Sequence, residues 1–296
     1  MQASASTRAA ATPAVAHFFH APTFTLTYVV RDPRTDRAVV IDPVRDFDPK
    51  SGGTSWHAAE EVAAFRDAHR LRVPYVLDTH AHADHLSGMP FFKERYGAET
   101  VIGWHITEVQ TTFRDIFDLG SDFPVDGRQF DRLLRDGERL AVGPMLVEAL
   151  HTPGHTPACM TYRIGDALFV GDVLFQPDYG VARCDFPGGS AEALYDSVQR
   201  LYALPEATRV FTCHDYLPGG RPLAFESTIG EQRAANVQLD ARTPRDAFVR
   251  FRHRRDAELE MPVLILPSVQ VNVRAGALPE PAANGTSYLK IPLNVL

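Results

Sequence analysis

The chain is poor in cysteine. Cys159, Cys184 and Cys213 are odd in number and follow no regular spacing, which argues against a disulfide framework and points to a reducing compartment, so the cytoplasm is the expected location. No apolar run approaches the roughly 20 residues that a membrane-spanning helix needs. The N-terminal "MQASASTRAAATPAVA" lacks the apolar segment of a secretory signal, and residues 1–15 are expected to be a disordered tail. Basic clusters are missing as well. The net charge is −7 and the isoelectric point about 5.9, which leaves neither a nucleic-acid footprint nor a polybasic membrane surface. The run "RFRHRRDAE", 250–258, is basic only locally and reads as a solvated helix face. No internal repeat is visible.

Apolar side chain is abundant. At 45% hydrophobic residues over 296 positions, the chain can bury a full core, and residues 16–296 are taken as a single domain whose C-terminal extension starts near 226. "FTLTYVV" and "RAVVIDP", joined by the turn "RDPRTD", predict an antiparallel hairpin ending at Asp42. "SWHAAEEVAAFRDAHR" has helical periodicity with Thr54 or Ser55 as its cap, and "VPYVLDT" follows as a buried strand. Further along, "GMPFFKERYG" and "ITEVQTTFRDIFDLG" predict helices around a strand at "ETVIGW", and 121–137 reads as a surface excursion. Strands are expected at "MLVEALHT", "CMTYRI", "ALFVGD" and "RVFTCHD". Helices are expected over 191–204, where Ser190 serves as the cap, and near 226–240 and 244–259. Strands clustered in both halves with helices between them suggest helices packed outside a two-sheet sandwich.

The metal-grade side chains fall just after these strands. "DTHAHADHLSG" supplies His80, His82, Asp84 and His85, "HTPGHTPAC" supplies His155, "FVGDVLF" supplies Asp172, and "TCHDY" supplies His214. Imidazole and carboxylate hold divalent zinc, iron and manganese, while three scattered cysteines make a thiolate site improbable. An isolated histidine is usually an ordinary packed or surface group, but one ordered series of such groups is not. On the loop, alternate residues such as His80 and His82 can converge on one ion while Asp84 and His85 turn to a neighbouring position.

"THAHADH" followed by "TPGHT", "VGD" and "CHDY", between about 24 and 216, resembles the metallo-β-lactamase superfamily. That resemblance implies an α/β fold, the αββα sandwich, with metal between the sheet edges. Within the superfamily, "GDVLFQPDYGVARCDFPGG" and "MPVLILPSVQVNVRAG" resemble the persulfide dioxygenases, particularly the bacterial type once described as β-lactamase-like hydrolases. The histidine motif alone permits two zinc ions, one on His80, His82 and His155 and one on Asp84, His85 and His214, bridged by Asp172, as in thioester hydrolases resembling glyoxalase II. The dioxygenase resemblance implies instead one Fe(II) on His80, His155 and Asp172, with His82, Asp84, His85 and His214 orienting ligands and water. Two histidines and a carboxylate leave open positions for a thiol-type substrate and O2.

The implied reaction oxidises glutathione persulfide, or a similar small persulfide, with O2 and water to thiol and sulfite, a step in sulfide detoxification. His214 and Asp84 are the candidate catalytic bases. Glutathione's carboxylates call for arginine, so Arg183 and Arg274 are the expected contacts, with Tyr216 and Asn272 as neutral helpers. Cys184 reads as packing, and Cys159 and Cys213 as small buried hydrophobes. A sulfane-sulfur sensor on a degenerate fold is a third reading, against which the intact ligands argue. Partners are expected to be small molecules, and a homo-oligomer is left open.

Overall fold

In the computed structural model, which describes residues 12–295, β2 (Thr25–Arg31) shows how the layers arise. Its Leu26, Tyr28 and Val30 turn to one side and Val29 to the other, as the period of two in a strand requires. The first set faces a second sheet, and the second set faces helices. β2 lies in a six-stranded sheet of order β1-β2-β3-β6-β8-β9, with β1 (Ala14–His20), β3 (Arg37–Ile41), β6 (Arg72–Leu77), β8 (Glu99–Gly103) and β9 (Arg132–Leu134). The other six-stranded sheet follows sequence order through β10 (Arg139–Val142), β11 (Met145–His151), β12 (Met160–Ile164), β13 (Ala167–Phe169), β14 (Arg209–Phe211) and β15 (Glu226–Thr228). A small sheet of β4 (Val44–Phe47), β5 (Thr54–Ser55) and β7 (Leu86–Ser87) braces the histidine loop.

Between the two large sheets Tyr28, Ile41 and Leu77 pack against Val147, Tyr162, Phe169 and Phe211. On the outer face of the first sheet lie α1 (His57–Ala68), α2 (Met89–Tyr96) and α3 (Ile106–Ile116), with Val62, Phe92 and Phe113 in one buried cluster. The second sheet is covered by α4 (Ala191–Tyr202), α5 (Ile229–Ala235) and α6 (Arg245–Asp256), through Leu194, Val198, Ile229 and Phe248. The result is the expected αββα sandwich. A last helix, α7 (Ile265–Asn272), packs onto β7. Among the described residues no helix is long and apolar enough to cross a membrane.

Several local expectations change. Residues 1–11 of the expected tail lie outside the described residues, and β1 begins at Ala14, taking in the last two residues of that tail. Thr54 and Ser55 do not cap α1 but pair with β4, and the Asp46 carboxylate accepts from Ala58 N at 3.1 Å instead. Ser190 does cap α4, accepting from Ala193 N at 3.2 Å. The stretch 121–137 is more than a surface excursion: Phe123 and Phe130 are buried in the core and β9 adds a parallel edge strand to β8. Three residues are too few to show a period. All three cysteines are buried.

Candidate metal centre

The loops after β3, β6, β13 and β14, together with the β11–β12 connection, meet at one end of the sandwich. There the two sheets are tied by a bridge between Thr25 and His214 and by Leu26 N donating to Cys213 O at 2.7 Å. The histidine loop is gripped from two sides. Asp42, in the left-handed region with φ 51°, accepts from Thr79 N at 2.7 Å and from Thr79 Oγ1 at 3.0 Å, and it meets His82 Nε2 at 3.0 Å. From α7, Asn272 accepts from Ser87 N and donates to the carbonyls of His82 and His85, each at 2.8 Å.

Glycine makes two of the ligand positions feasible. Gly154, with φ 147°, lies so close to α4 that a Cβ there would stand 2.4 Å from Leu194 Cα. The Pro-Gly-His turn can therefore rest on the helix only with glycine at that position. The following residue, His155, donates from Nδ1 to Arg183 O at 2.8 Å. Gly171, with φ 54°, would set a Cβ 2.6 Å from Thr79 Oγ1, so the Gly-Asp pair brings Asp172 against the histidine loop for the same reason.

Two clusters result. The ligand atoms of His80, His155 and Asp172 lie within 4.8 Å of one another, and Asp172 Oδ2 stands 3.9 Å from His80 Nε2 and 3.7 Å from His155 Nε2. His82, Asp84, His85 and His214 form the second group within the same limit. Asp172 joins the two, since its Oδ1 is 3.3 Å from His214 Nε2, which is also 3.3 Å from Asp84 Oδ2. His82 turns its Nε2 to Asp42 and lies within reach of Asp84 and His85, while its ring stays 4.1 Å, centroid to centroid, from that of His80 and its Nδ1 is buried without a partner, which leaves the two histidines able to face one ion.

These groups fit a cation. His80 Nε2, His82 Nδ1, Asp84 Oδ2, His85 Nε2, Asp172 Oδ1 and His214 Nε2 are all buried without a hydrogen-bond partner, and so many orphaned atoms in one place would be costly unless an ion or water served them. Several of the histidines have the other ring nitrogen held, as metal-bound imidazoles do. The electrostatics follow from burial and the three carboxylates. Burial, then the neighbouring His82 charge, holds His80 well below the ordinary histidine range and His85 down at about 4. Burial also works against charge on His82 and His214. Asp42 overrides it and lifts His82 to about 9, and Asp84 with Asp172 lifts His214 to about 10.

A cavity of about 670 Å³ opens onto Asp84, His155 and Asp172. Phe24, Phe175, Tyr179 and Tyr216 form its aromatic wall, and Tyr216 stacks on His214 with ring centroids 5.6 Å apart. Of the expected substrate residues, Tyr216 and Arg183 line this cavity. The Arg183 guanidinium is already held, with Nη2 donating to Asp185 Oδ2 and Nη1 to Glu260 O, each at 2.6 Å. Asn272 is fully buried in the loop contacts above and serves the site as a brace. Arg274 does not line the cavity; its guanidinium stacks over Phe123 at 4.6 Å and is half-buried. The run 250–258 is not simply a solvated face either. Arg252 is buried in an ion pair with Asp256 at 2.7 Å, and Arg255 lines the cavity. The sequence reading also missed Asp42, Thr25 and Thr79. A buried aspartate closing a strand at "VVIDP" is the one signal that could have pointed to the first of them.

Residues 20–214 match the model of the metallo-β-lactamase superfamily, and the chain belongs to that family. It is 50% identical to the "Probable metallo-hydrolase" of Burkholderia pseudomallei over 94% of this chain and 98% of that one. With the bovine mitochondrial persulfide dioxygenase ETHE1 it shares 29% identity over 89% of each chain. The crystal structure of ETHE1 from Myxococcus xanthus superposes with a TM-score of 0.71 at 29% identity, covering 89% of this chain and all of that one. The site is thus a His/Asp metal-binding site on a metallo-β-lactamase fold.

Proposed function

We propose that the protein is a persulfide dioxygenase, with a single Fe(II) on His80, His155 and Asp172. The observation that supports this choice is the close group of His80, His155 and Asp172, two histidines and one carboxylate whose ligand atoms lie within 4.8 Å of one another. The likeness to ETHE1 proteins supports the same reading. Iron in such a triad would supply the redox chemistry with O2 that zinc lacks. The overall change is RSSH + O2 + H2O → RSH + SO3²⁻ + 2 H⁺.

The chain's own residues have the remaining roles. The aromatic wall excludes water from the sulfur end of the substrate. His214, held charged between Asp84 and Asp172, and Asp84 itself are placed for proton transfer. Arg255 is the cation best placed for a substrate carboxylate, since its one ion pair among the described residues, with Glu258, is long at 3.6 Å and both side chains are about half exposed or more. Arg255→Ala is expected to raise KM for glutathione persulfide about tenfold, the loss of ~1.4 kcal/mol, with kcat nearly unchanged. Arg183→Ala should instead lower kcat as well, because it loosens the loop whose carbonyl holds His155. Steady-state kinetics of the two variants checks this.

A dinuclear zinc thioester hydrolase is the second reading. Its support is specific: His82 Nδ1, His85 Nε2 and Asp84 Oδ2 are also orphaned, and the 50%-identical relative bears a hydrolase name. Metal analysis of protein purified without added metal distinguishes the two. One iron per chain is expected, and two zinc ions per chain would favour the hydrolase.

A further inference from the structure

The peptide group between Arg183 and Cys184 has a partner on each side. Its carbonyl accepts from His155 Nδ1 at 2.8 Å, and its N–H donates to Asp256 Oδ2 at 2.9 Å. Because a carbonyl can only accept, Nδ1 bears the hydrogen, which leaves His155 Nε2 bare on the side of Asp172, 3.7 Å away. Asp256, the last residue of α6 and 72 positions after Cys184, does not line the main cavity. It is nevertheless only one planar peptide away from a metal-binding imidazole.

The carboxylate is fixed from behind. Arg252, one turn earlier on α6, donates to Asp256 Oδ1 from Nε at 2.9 Å and stands 2.7 Å from it through Nη2, with both side chains buried. Arg252 Nη1 also donates to Gln238 Oε1 at 2.9 Å. Gln238 in turn holds the tract that leads to Cys184, donating to Tyr179 O at 2.9 Å and accepting from Val181 N at 3.3 Å. A buried ion pair is a weak source of stability, because desolvation offsets most of the attraction, so stability alone does not account for its place here. Asp256 Oδ1 takes both contacts from the arginine, and Oδ2 turns to the peptide that serves His155. Hydrogen bonds in a chain polarise one another where the dielectric is low. A carboxylate on the N–H therefore makes the carbonyl a stronger acceptor, and an acceptor behind a ligating imidazole fixes its orientation and raises its basicity.

We propose that Asp256 is a positioning residue for His155, acting through the Arg183–Cys184 peptide as a carboxylate–peptide–histidine relay. No proton moves along it. The carboxylate strengthens the bond that sets the ring's tautomer and aim, and Arg252 keeps the carboxylate in place. The inference rests on His155 as a ligand, which holds for the mononuclear iron and the dinuclear zinc readings alike, so it stands or falls apart from either reaction.

Asp256→Asn combined with Arg252→Gln removes both charges without stranding either and leaves an amide oxygen for Cys184 N. NMR of the metal-free wild type should show His155 as the Nδ1–H tautomer, with its Nδ1–H and the Cys184 amide proton both far downfield. In the double variant the Cys184 amide should move upfield because its acceptor is neutral, and the His155 Nδ1–H should move with it. Zinc affinity of the folded protein, measured by competition with a chelator, should fall about tenfold. Phe248→Leu loosens α6 in its apolar core without touching the peptide, so its melting temperature should fall while both resonances and zinc affinity stay unchanged. Asp256→Glu, which keeps the charge and displaces it, supplies the same paired reading should the double variant not fold. An Nε2–H tautomer in the wild type, a Cys184 shift without a His155 shift, unaltered zinc affinity, or an equal loss of affinity in Phe248→Leu would overturn the relay.

Discussion

Asp172→Ala is expected to yield folded protein that retains no metal and no measurable activity. The carboxylate is the one group shared by both clusters, with Oδ2 toward His80 and His155 and Oδ1 toward His214. Its loss removes the one anionic member of the His80–His155 group and leaves that group with two imidazoles alone. The loss should exceed the roughly 10- to 100-fold seen when a group behind a ligand is changed. His85→Ala is the contrast. Its ring belongs to the second group, so iron should stay bound and activity should fall only within that range. Metal content and circular dichroism of the two variants are the readouts, and equal metal loss from both would point to a dinuclear centre.

Asp42→Ala should produce the largest loss of stability, about 3–5 kcal/mol, the range for removing one partner of a buried ion pair. The substitution strands Thr79 N and the His82 ring, and it places alanine at φ 51°. Asp42→Asn should do less harm, because asparagine tolerates that conformation and keeps a carbonyl acceptor. A pH signature accompanies it. His82 sits at about 9 when folded against an ordinary value of 6.5. A raised folded pKa means that the stabilisation is fully present below the unfolded value and is lost as pH rises through the folded one. His82 should therefore contribute a loss of about 3 kcal/mol between pH 6.5 and 9 in the metal-free wild type, beside a like loss from His214, whose raised value is set by Asp84 and Asp172, and Asp42→Asn should remove the His82 part of that slope. Urea denaturation across the range provides the comparison.

Much of this was legible in the sequence because the sandwich is built from strands long enough to show alternation, and because its ligands follow those strands directly. "RAVVIDP", "VPYVLDT" and "MLVEALHT" each predict a strand and each leads toward the site. What was not legible depends on contacts distant in the chain. β5 and β7 have two residues each and β9 three, too few for any period, and they exist because a neighbour offers a free edge. The direction of His82 is set by Asp42, 40 positions earlier. Arg274 and Arg255 exchange their expected places because α7 spends its last residue, Asn272, on the histidine loop, while α6 turns Arg252 inward to Asp256. In a local charge run, the buried arginine and the cavity-lining one look the same as a solvated one.

The central claim, that O2 and a persulfide meet at this centre, is tested most directly by oxygen uptake. Iron-loaded protein given glutathione persulfide is expected to consume O2 and form sulfite in equal amounts, and the uptake should vanish when zinc replaces iron. A thioester such as S-lactoylglutathione should be cleaved only slowly in either form. No O2 consumption with the persulfide, together with thioester hydrolysis that proceeds without air and persists or improves with zinc, would contradict the account and establish the hydrolase in its place.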